Sequence, residues 1–147
     1  MHFKPGRELQ EFNCLYKEMD GIYHKLALHA GLSDSAFHIL YCIAEFGDGC
    51  LQKDICEQYN ISKQTINSSI KNLESKGILT LTRGKGRDMH LHLTAEGRQF
   101  TEQYIAPVFD AENRVFSEMT AEEAQTLLRL TKKYKDLFYR NVQEQLL

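Results

Sequence analysis

Residues 62–77 read SKQTINSSIKNLESKG, and ILTLTR (78–83), GKGRD (84–88) and MHLHL (89–93) follow without interruption. The order is a capped helix, a strand, a basic glycine-rich turn and a second strand. On the helix Ile66, Ile70 and Leu73 stand at i, i+4 and i+7, so one stripe faces a core. Gln64, Thr65, Asn67, Ser68, Lys71 and Asn72 are left on the other faces. Ser62 caps the start. Lys76-Gly77 ends the helix with a cation in the last turn and a glycine suited to the left-handed position. In the second strand Met89, Leu91 and Leu93 point one way, and His90 and His92 the other. A helix that shows amides, hydroxyls and lysines, beside a hairpin with a cationic tip, suits a DNA groove and its flanking phosphates.

Charge distribution supports this more than net charge does. The 147 residues carry a formal charge of −2. Between Ser62 and Leu93, however, six bases (Lys63, Lys71, Lys76, Arg83, Lys85, Arg87) face two acids (Glu74, Asp88), leaving the segment at +4 and the other 115 residues at −6. A basic patch on an acidic body steers DNA to one face and repels it elsewhere. A solvated charge run would give the same count, but it need not fall on a hairpin beside a polar helix face.

Working outward, Leu9, Phe12, Tyr16, Met19, Tyr23, Leu26 and Ala30 recur in steps of three and four. That is a heptad-like seam on one long helix, narrow enough to meet another helix, with Gly21 a weak point inside it. Gly31 ends this helix and Ser33 caps the next, on which Phe37, Leu40, Tyr41 and Ala44 are spaced helically until Gly47-Asp48-Gly49. Cys50-Leu51 has room for a minimal strand. A short helix with Ile55 and Tyr59 inward and a tight turn at Tyr59-Asn60-Ile61 lead to Ser62. After the hairpin Thr94 caps a further helix, which Pro107 should kink or divide. Thr120-Ala-Glu-Glu123 is a capping box opening a last helix that carries Leu127, Leu130, Tyr134, Leu137 and Val142 near one face. The predicted class is mainly α with a small β-wing: a winged helix-turn-helix at about residues 33–97, between long terminal helices at about 5–30 and 98–147, in a single domain. Those terminal helices have more apolar surface than a small winged domain can cover, which points to pairing across a two-fold axis.

Composition narrows the remaining classes. Hydrophobic and charged fractions of 42% and 26% are those of an ordinary globular chain. The longest apolar run, Ile39 to Ala44, is far below the ~18 residues that span a bilayer, and the first ten residues have no signal-like apolar stretch. A cytoplasmic location and no membrane partner are expected. Cys14, Cys42, Cys50 and Cys56 have no Cys-x-x-Cys pairing, so reduced thiols are the simplest reading. No phosphate loop, HExxH or GxSxG is present, and the chain is not expected to be an enzyme or to hold a cofactor or metal.

With the stretches GLSDSAFHIL, LQKDICEQYNISKQTINSSIKNLESKGIL, the wing and LTAEG in this order and spacing, the chain resembles the MarR family of winged helix-turn-helix transcriptional regulators. The resemblance covers nearly the whole chain; its most specific piece joins Ile61–Leu79 to Leu93-Thr94-x-x-Gly97. It implies a homodimer built through the terminal helices, a palindromic operator, a repressor's action, and release by a small ligand or an oxidant. The helix from Ser62 would lie in the major groove. Gln64 and Asn67 have the amide pair that grips adenine, Thr65 can donate, accept or touch a thymine methyl, Ser62 and Lys63 at the helix start favour phosphate, and Ser68 and Lys71 are further DNA-binding candidates. Arg83, Lys85 and Arg87 would put cations on the wing, with Arg87 at the family's wing-arginine position, where it reads minor-groove width. Two departures stand out. The usual aspartate two residues before that arginine is Lys85, with Asp88 following instead, and the usual Thr-Arg is Asn67-Ser68. The second removes a charged contact, so a modest salt dependence is expected.

For the effector, the resemblance suggests a small aromatic or amphiphilic molecule in a pocket lined by Tyr23, Phe37, His38 and Tyr41. Two other modes have less support. His38 and Cys42 are i, i+4, but the family's other zinc-binding histidine positions fall near Tyr104 and Val108. The reactive cysteine of the peroxide-sensing branch aligns near Leu9, away from Cys14, although Tyr23 matches one of that branch's tyrosines. A thiol- or metal-responsive regulator of the same fold, or a winged-helix protein-interaction module without DNA binding, are the alternatives.

Overall fold

The computed structural model describes residues 4–59 and 61–146. Their order is α1 (Arg7–His29), α2 (Asp34–Phe46), α3 (Gln52–Tyr59), α4 (Lys63–Ser75), β1 (Leu79–Arg83), β2 (Met89–Leu93), α5 (Ala95–Tyr104), α6 (Ala106–Glu118) and α7 (Ala121–Gln145). This is the mainly helical winged architecture that the sequence implies. Among the described residues no single helix is long and apolar enough to cross a membrane. The turn expected at Tyr59-Asn60-Ile61 centres on Asn60, which lies outside the described residues.

The chain divides into two compact units, residues 1–107 and 108–147. In the first, α2 packs on both α1 and α4, while β1 meets α4 and β2 meets α3 and α5. The expected stripe of α4 is buried: Ile66 and Leu73 are fully enclosed and Ile70 nearly so. They join Ala27, Phe37, Leu40, Ile43, Ile55, Leu79 and Leu91 in the core. Each such Ile or Leu contributes roughly 1.5–3 kcal/mol through burial. Ser69 is also buried, and its hydroxyl is satisfied by Ser35 Oγ of α2 at 2.5 Å. Two small hydroxyl side chains there let α2 and α4 approach closely. The hairpin is antiparallel, with Leu79 opposite Leu93 and Leu81 opposite Leu91. The stretch before α3 adds a single bridge, Leu51 to His90, extended by Gly49 N donating to Leu91 O at 2.8 Å and Leu91 N to Cys50 O at 2.9 Å.

The caps follow from local chemistry. Ser33, Ser62, Thr94 and Thr120 each accept a backbone N–H three residues on, and Glu123 returns a bond to Thr120 N to complete the capping box. Lys76 closes α4, and Gly77 adopts φ 71° beyond it. Gly21 does not interrupt α1. After the wing the chain forms two helices divided at Ile105, and Pro107 falls in the first turn of the second, where its missing N–H leaves no bond unmade.

Exposed apolar surface concentrates on the terminal helices. On α1 the amino-terminal part of the heptad seam, Leu9, Phe12, Tyr16 and Met19, is exposed, whereas Ala30 at its other end is buried. In the second unit α7 buries no residue at all, and leaves Leu128 at 60% and Phe138 at 61% of full exposure.

Candidate nucleic-acid interface and effector cavity

The outer face of α4 is presented as the sequence implies. Ser62, Lys63, Gln64, Thr65, Asn67, Ser68 and Lys71 are all exposed while the intervening Ile66 and Ile70 are buried. Two of these side chains are already held. Ser62 Oγ accepts Thr65 N at 3.2 Å and lies 2.8 Å from Thr65 Oγ1, so one N–H at the helix start is taken by the cap itself. Asn67 Oδ1 accepts a hydrogen bond from Gln52 Nε2, across from the first turn of α3. The Asn67 amide is thereby fixed in orientation, with its NH₂ group directed away from that bond.

The wing carries Arg83, Lys85 and Arg87, all exposed, at and beside its tip. The tip is closed by Gly84 N donating to Asp88 O at 2.9 Å and Asp88 N to Lys85 O at 3.1 Å, with Gly86 at φ 61°. Asp88, displaced from the family's usual acidic position, braces the wing externally: its carboxylate accepts Lys53 Nζ of α3 at 3.2 Å. At the wing's root Asp48 gathers Leu93 N at 2.8 Å and Arg98 Nη1 at 3.1 Å, with His92 Nδ1 4.0 Å away. His92 Nε2 in turn meets Thr82 Oγ1 at 2.8 Å, and His90 Nδ1–H donates to the Gly49 carbonyl at 2.7 Å. Gln52, Lys53 and Asp48 therefore support the candidate contact residues, although no periodicity or motif in the sequence marks them. Their partners lie 15, 35 and 45 or 50 positions away.

Tyr23, Phe37, His38 and Tyr41 come together around one cavity of about 230 Å³, which Asp20 and Tyr59 complete. His38 sits among the rings, its centroid 6.3 Å from Tyr23, 6.4 Å from Phe37 and 5.6 Å from Tyr59. Its Nδ1–H donates to the Asp34 carbonyl at 2.7 Å, which in the neutral ring leaves Nε2 as an acceptor. Tyr59 is hydrogen-bonded to the Cys42 sulfur. Burial, then the Cys42 sulfur, then the Glu45 carboxylate push the Tyr59 phenol up from its ordinary value.

Burial likewise pushes the Cys42 thiol up to about 12 and, with the Asp54 carboxylate, the Cys50 thiol up to about 11; Cys56 is also raised by burial. These three thiols remain protonated near neutrality and are poor nucleophiles. Cys14 is exposed, with its sulfur 3.5 Å from Glu18 Oε1. Among the described residues no group of three or more His, Cys, Asp and Glu side chains converges as a metal site.

Residues 30–88 match the MarR family model. The fold is similar over nearly the whole chain to solved structures of the same family. NMB1585, a MarR family regulator from Neisseria meningitidis, superposes with a TM-score of 0.78 at 20% identity, covering 95% of this chain and 99% of that one. The MepR–DNA complex of S. aureus gives 0.67 at 20% identity, over 91% and 99%. NadR in complex with 4-hydroxyphenylacetate gives 0.68 at 18% identity, over 91% and 96%. No curated protein matches.

Proposed function

From the match of residues 30–88 to the MarR family model, we propose that this chain is a sequence-specific, double-stranded-DNA-binding transcriptional regulator. It acts as a homodimer on a palindromic operator, as a repressor, and is released by a small ligand. One observation carries the reading. A single exposed helix face bears Gln64, Thr65, Asn67, Ser68 and Lys71, and Arg83, Lys85 and Arg87 stand on the adjoining wing. Amides and hydroxyls on a rigid helix read base edges in the major groove, and wing cations serve phosphates or a narrow minor groove. That the similar MepR fold was solved on DNA supports this direction.

Homodimer formation is supported by the exposed apolar faces of α1 and α7, each by itself. Contiguous surface of that kind marks an interface more often than it faces water. Release by a ligand is supported by the cavity at Asp20, Tyr23, Phe37, His38, Tyr41 and Tyr59. It is also supported by the small aromatic acid found in NadR.

Fluorescence anisotropy on duplexes tiled upstream of the chain's own coding region tests the proposal. We expect a bound duplex with half-sites about one helical turn apart. Affinity should fall with rising salt. Arg87→Ala should weaken binding and reduce the salt slope by about one per subunit while leaving thermal stability unchanged. Equal affinity of mutant and wild type would remove the wing from the interface. Failure to bind any duplex at low salt, with capture of a protein partner by the same helix face, would favour the interaction-module reading.

A further inference from the structure

The geometry points to an organic cation, a primary ammonium on a one-ring body, as the ligand of the Asp20–Tyr59 cavity; this rests on the regulator reading above. The cavity's size fixes the body. A 150 Å³ apolar cavity accommodates benzene, so about 230 Å³ accommodates one ring and a short substituent. The lining fixes the charge. Among the described residues the lining's acidic side chain is the Asp20 carboxylate, and neither Lys nor Arg lines the wall.

Asp20, His38 and Tyr59 present acceptors to the cavity. Asp20 is an acceptor when ionised. His38 Nδ1–H is spent on the Asp34 carbonyl, leaving the Nε2 lone pair when the ring is neutral. The Tyr59 hydroxyl is engaged with Cys42, leaving its oxygen to accept. The apolar part of the lining is aromatic, from Tyr23, Phe37, Tyr41 and Tyr59. Ring faces carry negative potential and attract a cation held within about 6 Å. Tyr59 is the last residue of α3, so the cavity also adjoins the helix end where unpaired carbonyls accumulate partial negative charge. A carboxylate ligand of the kind bound in NadR would meet an acid and several lone pairs and find no cation to pair with. An ammonium of the same size meets a counter-ion, acceptors and ring faces.

Isothermal titration of the full chain with three matched probes tests this: tyramine, its uncharged alcohol 4-hydroxyphenylethanol, and 4-hydroxyphenylacetate. The three share one phenol and differ at the end group. Tyramine should bind about tenfold or more tighter than the other two. Asp20→Asn should remove most of that preference, and Glu18→Gln, an exposed acid on the same helix, should leave it intact. Both positions are solvent-facing on α1, so the fold should survive either change. Equal or tighter binding of the acid or the alcohol, no binding of tyramine at millimolar concentration, or an undiminished preference in Asp20→Asn would each overturn the assignment. So would an equal loss in Glu18→Gln. Parallel anisotropy on duplex DNA keeps the two readings apart: tyramine binding without any DNA binding would sink the regulator and leave the cation site standing.

Discussion

Replacing Gly97 by alanine sets two physical effects of opposite sign against each other. Alanine is the better helix former by about 0.8–1.0 kcal/mol, so on an open helix surface it would stabilise. Gly97 lies in the first turn of α5 and packs against the chain leading into the wing. A Cβ built there would stand 2.0 Å from the Ile78 carbonyl oxygen and 3.0 Å from its carbon. Ordinary carbon–oxygen contact is about 3.3 Å or more, so the helix start or the strand entry must move by roughly 1 Å. That movement is resisted, because Ile78 O accepts Thr94 N at 3.1 Å. Thr94 Oγ1, besides accepting Gly97 N at 2.9 Å, donates to Gly77 O at 2.6 Å. Overpacking of this kind costs about 1–3 kcal/mol, and each weakened hydrogen bond about 0.5–1.5 kcal/mol. After the propensity gain is subtracted, Gly97→Ala should destabilise by about 2–3 kcal/mol. For a chain of this length that is a fall of about 5–10 °C in melting temperature. Calorimetry at one fixed protein concentration measures it, since the transition of the proposed dimer would move with concentration. The same joint sets the wing against α4, so DNA affinity at a temperature where the variant is folded should fall too. An unchanged or raised melting temperature would show that the Ile78 contact yields freely, and the argument would fail.

Other substitutions separate contact from support. Asn67→Ala should relax preference at one base pair by roughly 1–3 kcal/mol, read by anisotropy on single-site operator variants; a loss spread over all sequences would mean a backbone contact instead. Gln52→Ala should give a weaker version of the same relaxation at that base pair, since it frees the Asn67 amide without removing it; no change would mean the Gln52 bond does not orient the reader. Cys42 is held above its ordinary value of 9.0, at about 12, chiefly by burial. Its contribution to stability is therefore complete below pH ~9 and lost as pH rises toward 12. Denaturant midpoints should fall across that window, and less steeply for Cys42→Val.

The fold was legible because its signals are local. The i, i+4, i+7 spacing of Ile66, Ile70 and Leu73 defines a helix face whatever lies against it, and a capping Ser or Thr three residues before its N–H partner needs no knowledge of tertiary structure. The polar face of α4 follows by subtraction. Asn67 stands out as an amide on that face, but that Gln52 holds it depends on how α3 crosses α4. Asp88 illustrates the same limit. Read against the resemblance it is an acid in an unusual place. In the fold it reaches Lys53, 35 residues earlier, and the wing is tied to α3. Asp20 and Tyr59 were missed as cavity residues for a related reason. Asp20 reads as an ordinary solvent-facing acid on a long helix, and Tyr59 as an inward residue at a helix end. Only the approach of α1 and of the end of α3 to α2 puts them around one space with His38.

That arrangement also limits how far the proposed effector must move anything. Tyr59 borders the cavity and ends α3; Ser62, three residues on, caps the helix proposed to read DNA. A ligand alters DNA binding only through the difference in its affinity for the DNA-competent and incompetent states of the proposed dimer. Tenfold release corresponds to about 1.4 kcal/mol, or about 0.7 kcal/mol for each of two cavities. That is within the worth of one ordinary hydrogen bond. Re-aiming the Tyr59 ring, or loosening the Ser62 cap by part of its bond to Thr65, is on that scale, so no refolding of the wing is required. Because coupling is reciprocal, saturating operator DNA must weaken the ligand by the same factor that the ligand weakens DNA. A ligand that released DNA while binding equally well to the DNA-bound protein would be acting somewhere other than this cavity.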